Sequence, residues 1–102
     1  MYNMKYLPTE ICIGNLKKIY TVDFDISIWT ILYGTSAVKL FFVPPNKTND
    51  EGYFVSTTIH NSILTWNIIQ EDIAILGRGH IVIILEGNNK IKKSENITVI
   101  IQ

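Results

Sequence analysis

Short runs in which apolar and polar residues alternate recur along the whole chain. This period-two pattern constrains the fold more than any other feature, because it places every second side chain on one face of a pleated strand. The run KIYTVDF, residues 18–24, aligns Tyr20, Val22 and Phe24. AVKLFFV, residues 37–43, aligns Val38, Leu40 and Phe42. GYFVSTTI and SILTWNI follow, the second aligning Leu64, Trp66 and Ile68. HIVIILE aligns Ile81, Ile83 and Leu85, and NITVIIQ aligns Ile97, Val99 and Ile101. TEICIG near the start reads as a short first strand. β-branched and aromatic residues fill these runs, as pleated sheets favour.

Turn chemistry separates them. PPNKTNDEG, residues 44–52, is a polar loop, and HNS (60–62) and EGNNK (86–90) are hairpin turns. Two segments depart from alternation. DISIWTILYG, residues 25–34, has Ile28, Trp29 and Leu32 at one-turn spacing, with Asp25 to cap its start and Gly34 its end. QEDIAILG, residues 70–77, opens with acids and closes on glycine. Both read as short helical turns whose apolar side chains plug the ends of a sandwich. Seven short strands with two such turns predict an all-β, immunoglobulin-like antiparallel β-sandwich, a single domain over residues 1–102.

Charge narrows the function classes. Nine basic residues balance nine acidic ones, so the basic excess that nucleic-acid binding uses to displace counterions is missing. Net neutrality gives little electrostatic protection against association, which suits a subunit of an assembly. The single cysteine, Cys12, rules out an intrachain disulfide; between Ile11 and Ile13 it reads as a small buried residue. MYNMKYLPTE has no apolar leader core, and no apolar run approaches the length of a membrane span. No membrane partner is expected, and the chain is expected to stay in the cytoplasm that makes it or to leave inside a particle.

GRGH, residues 77–80, holds two glycines around the only arginine, but it precedes a strand and lacks the third glycine of a dinucleotide loop and the G-K-[ST] of a P-loop. It reads as a turn: Gly77 ends a helical turn and Gly79 opens a strand. His60 and His80 have no second His or Cys nearby in sequence, although the sequence is compatible with a cross-strand metal site using both. Asp23 and Asp25 share a strand face without a calcium loop, and read as one solvated acid and one helix cap. No nucleophile elbow is present, and nothing argues for an enzyme or a cofactor. Trp29 and Trp66 would make a sugar-stacking platform only if exposed, and both sit among core-type residues.

The feature that stands out is apolar residues on the opposite faces of core strands. Phe41 and Val43 lie opposite Leu40 and Phe42, and Val82 and Ile84 lie opposite Ile81 and Ile83. A solvated sandwich shows polar outer faces, so these positions predict a surface covered by another molecule. The candidate interface residues are Phe41, Val43, Val82 and Ile84, with Arg78 and His80 at the rim.

The order of several short motifs resembles the immunoglobulin-like modules of tailed-bacteriophage structural proteins. They are DISIW (25–29), VKLFFVPP (38–45), LTWNI (64–68), EDIAILGRG (71–79) and KKSENITV (92–99), and the resemblance runs from Ile19 to Ile101. It implies a non-enzymatic virion protein assembled in the bacterial host cytoplasm. In baseplate and fibre proteins such a module precedes a stalk, whereas here Gln102 follows the last strand. The resemblance therefore implies an auxiliary (decoration) capsid protein, of the type found in crAss-like phages, present in multiple copies per particle. Its partners would be the major capsid protein, a head fibre or tail proteins. A tail or baseplate adaptor is the alternative within the same fold, and a small carbohydrate-binding module is the alternative of another class.

Overall fold

A computed structural model describes residues 7–14, 21–34, 37–87 and 89–102. Tyr20, expected on the inner face of the second strand, lies outside them. The described residues form nine strands in two sheets, the expected β-sandwich. They are β1 (Glu10–Ile13), β2 (Thr21–Asp25), β3 (Ala37–Val43), β4 (Tyr53–Phe54), β5 (Thr57–His60), β6 (Ile63–Asn67), β7 (Gly77–Gly87), β8 (Lys90–Lys93) and β9 (Ile97–Ile101). The large sheet runs β1-β9-β7-β3-β4, with β8 paired to β7; the small sheet runs β2-β6-β5. This splitting of successive strands between two sheets is the immunoglobulin-like arrangement. All pairs are antiparallel except β1 and β9, which run parallel.

The alternation read from sequence becomes the core. Leu40, Phe42, Ile81, Ile83, Ile97, Val99 and Ile101 from the large sheet meet Phe24, Leu64 and Trp66 from the small one in one buried cluster. The expected strand over residues 52–59 divides instead. Val55 N–H still donates to Leu40 of β3, while Ser56 C=O accepts from Asn67 of β6, so the chain crosses from one sheet to the other between these residues. Alternation cannot signal such a crossing, because both halves keep period two. The last hairpin is also broken: β8 and β9 pair with successive parts of β7, and between them Ser94 bonds Ile83 through both its backbone N–H and its hydroxyl.

The first helical turn is a short helix, α1 (Ser27–Tyr33). Asp25 Oδ1 accepts the Ser27 N–H at 2.9 Å, and the Gly34 N–H closes the helix on Thr30 C=O at φ 60°. Ile26 joins the core cluster and Trp29 is buried, but Leu32, expected to plug the sandwich end, faces solvent with Ile31. The Asn61–Ser62 turn is pinned beside it: Ser62 C=O accepts the Ile26 N–H at 3.0 Å. The second turn is a 3-10 turn over Gln70–Ile73. Gly77 does not end it. With φ 126° it begins β7 in a conformation that L side chains avoid. Gly79 lies within that strand, its Cα against the Val43 carbonyl and the Pro44–Pro45 backbone, where a Cβ would collide.

Candidate docking surface

The two outer faces of the sandwich differ in chemistry. On the small sheet the outward rows are Thr21–Asn67, Asp23–Thr65–Thr58 and Asp25–Ile63–His60. Ile63 is the single apolar member, and Asp23 accepts a hydrogen bond from the Thr65 hydroxyl at 2.7 Å. This is a solvated face. The exposed carboxyls there are local caps and bonds: hydrogen bonding from Ser27 lowers the Asp25 pKa from its ordinary value. In the loop before β4, the Thr48 N–H does the same for Glu51.

The large sheet presents the opposite. Its central row is Phe54–Phe41–Val82, with Ile84 in the next row on one side and Thr98–His80–Val43 in the next row on the other; Ile100 lies one row further, beside Arg78. Phe41 and Phe54 meet edge to face, with centroids 5.3 Å apart. Phe54 is 54% exposed. Two ion pairs border this strip. Lys39 reaches Glu86 at 3.2 Å and lies 5.4 Å from the Phe54 ring centroid, and Arg78 approaches Glu10 at 4.0 Å. Both pairs are half-exposed and contribute little to stability in water. An apolar strip rimmed by polar groups has the surface chemistry of a candidate contact face.

The six sequence candidates fall on this face, with one correction. Phe41, His80, Val82 and Ile84 are half-buried, and Arg78 is exposed at the rim. Val43 is only 2% exposed. Gly52 packs beside the Phe41 ring and Val43, where a Cβ would meet both; Val43 is left buried by the chain itself and offers nothing to a partner, while Phe41 stays partly exposed. Cys12 is the converse correction. Ile11 and Ile13 pair with Val99 and Ile101 on the inner side, so Cys12 points outward beside Ile100 and is exposed. Phe54, the most exposed member of the strip, was missed. Its signal depends on knowing that residues 53–54 return to pair with Phe41 and Phe42.

Behind this face lies a buried polar knot. Asp72, 2% exposed, accepts hydrogen bonds from the Tyr53 hydroxyl at 2.6 Å, Trp66 Nε1 at 3.1 Å and the Ile69 N–H at 3.1 Å. Tyr53 belongs to the large sheet and Trp66 to the small one, so one carboxylate ties both sheets to the 3-10 turn. Burial, then the bonded carboxylate, push the Tyr53 hydroxyl pKa well up. Both carboxylate oxygens are engaged by these donors, which makes the knot a structural clamp. Trp66 is fully buried and Trp29 is 6% exposed, so neither presents a face for sugar stacking.

Among the described residues, His60 and His80 join no group of three or more His, Cys, Asp or Glu able to hold a metal ion. No helix of the described residues is long and apolar enough to cross a membrane. Comparison with protein-family models and with curated proteins finds no match.

Proposed function

We propose that the protein is a non-enzymatic structural subunit that docks on neighbouring proteins through the outer face of its large sheet. The observation that carries this reading is the contrast between the two outer faces. The outward rows of the small sheet hold one apolar residue, Ile63, whereas those of the large sheet hold Phe41, Phe54, Val82, Ile84 and Ile100 in addition to the exposed Ile91; Ile31, Leu32, Ile59, Ile69 and Leu76 are exposed away from this face. The assembly proposed is a tailed-phage virion, and the role an auxiliary capsid protein that reinforces the shell or anchors head fibres. Its support is the ordered run of motifs from DISIW to KKSENITV, each of which sits in or beside a strand of the sandwich. Repetition over many copies would make weak individual contacts strong in sum.

Mass spectrometry of purified virions tests the assignment. Peptides of this chain at a copy number comparable with the major capsid protein support it, and their absence rejects it. A copy number of a few per particle favours the tail or baseplate adaptor. The carbohydrate reading loses its support from the burial of both tryptophans.

A further inference from the structure

We infer that the partner on the large sheet's outer face is a second copy of this chain, related by a two-fold axis that lies between the facing sheets and crosses β7 at Val82. The inference rests on the reading of this face as covered in the assembled state. It goes further by naming the occupant.

The outward residues of β7 carry the argument. In order they are Arg78, His80, Val82, Ile84 and Glu86: a cation at one end, an anion at the other, and a small apolar residue at the centre. A two-fold axis through Val82 and across the strands reverses this order in the partner copy. Arg78 then faces the second copy's Glu86, and Glu86 faces its Arg78. Val82 meets its own counterpart, and His80 meets Ile84. The neighbouring strands obey the same reversal. Phe41 and Phe54 share the central level with Val82, so each meets its own counterpart. Glu10, on the level of His80, is brought beside Lys93, on the level of Ile84. A two-fold axis parallel to the strands and centred on β7 would set Glu86 against Glu86 and Lys39 beside Lys93, so like charges disfavour it. An isologous interface requires this self-complementarity, whereas an unrelated partner would need neither the palindrome nor the balance of signs.

Size sets the strength of this pairing. Five strands at about 4.8 Å spacing give a width of roughly 24 Å, and Arg78 to Glu86 spans about 26 Å along β7. The strands are of unequal length, so the planar footprint is roughly 500 Å², short of the about 800 Å² per partner of a standard interface. The expected product is a weak, concentration-dependent dimer.

Sedimentation equilibrium of the full chain over a wide concentration range tests the proposal. The wild type should dimerise reversibly. Arg78→Glu and Glu86→Arg should each raise the dimer dissociation constant by about tenfold or more, since each places like charges in contact. The double variant Arg78→Glu/Glu86→Arg should recover in part and dimerise more tightly than either single variant, because the exchanged charges again face opposite signs across the interface, while the lost in-chain pairs with Glu10 and Lys39 keep it weaker than the wild type. Val82→Lys should abolish the dimer, with circular dichroism showing the fold retained. A wild type that stays monomeric throughout overturns the proposal, as does a dimer indifferent to Val82→Lys or a double variant that fails to recover. A monomeric wild type whose incorporation into particles is lost in Val82→Lys would retain the docking face and reject only the second copy.

Discussion

The Tyr53 hydroxyl and the Asp72 carboxylate meet at 2.6 Å, joining the edge strand of the large sheet to the 3-10 turn that follows the small sheet. Asp72 also takes the indole N–H of Trp66, whose ring packs 5.1 Å from Phe42. The docking strip begins one residue after Tyr53, at Phe54. The clamp therefore fixes the strand pair that displays it.

Removing the clamp's acceptor should cost more than altering it. Asp72→Ala leaves the Tyr53 hydroxyl, the Trp66 indole and the Ile69 N–H without their partner, at about 1–3 kcal/mol for each buried donor left unsatisfied. A total loss of about 3 kcal/mol or more is expected, a large share of a small domain's stability. Asp72→Asn keeps one oxygen for Trp66 and Ile69 and offers its amide to the Tyr53 oxygen, so about 1–2 kcal/mol is expected. Urea unfolding followed by tryptophan fluorescence measures both.

Alkaline pH should loosen the same contact. The folded-state pKa of Tyr53 is raised above its ordinary value of 10.0 by burial and by Asp72. Above pH 10 the unfolded chain releases this proton while the folded chain keeps it. The contribution is therefore present in full below pH 10 and falls as pH rises through the unfolded value towards the folded one. Tyr53→Phe should show a shallower loss of melting temperature between pH 9 and 11 than the wild type. Equal slopes would remove Tyr53 as the cause.

Gly79 is expected to tolerate no side chain. A Cβ there meets the Val43 carbonyl and the Pro44 and Pro45 backbone, atoms that cannot rotate away. Gly79→Ala should destabilise by about 2–3 kcal/mol through overpacking. Gly14, with nothing within 4 Å of a Cβ, should accept alanine at a cost within about 0.5 kcal/mol. Thermal melts of the two variants give the comparison.

The core and the two-sheet architecture were legible because alternation reports burial directly. Leu40, Phe42, Leu64, Trp66, Ile81, Ile83, Ile97, Val99 and Ile101 all lie inside as their period requires. What alternation does not carry is which sheet a strand joins. The crossing between Val55 and Ser56 was hidden for that reason, and with it the place of Phe54 in the strip. Val43 misled because its period gives the face and not the burial, to which Gly52, nine residues on, contributes. Asp72 read as an ordinary acid of a helical first turn. Its three donors come from residues 3, 6 and 19 positions away, beyond local pattern.

Stability and docking should separate at Phe54. Its ring is more than half exposed and its main contact is the edge-to-face pair with Phe41, which contributes about 0.5–1.5 kcal/mol. Phe54→Ser should lower stability by no more than about that amount. It should nevertheless reduce incorporation of the chain into assembled particles strongly, as measured by quantitative mass spectrometry of particles from cells producing the variant.

Hydroxyl-radical footprinting of the intact particle tests the docking face most directly. Phe54 reports the outer face of the large sheet and His60 that of the small sheet, and both are exposed in the single chain. The account predicts that Phe54 is strongly protected in the particle relative to the dilute chain, while His60 remains reactive. Phe54 oxidised as fast in the particle as in the dilute chain would contradict it.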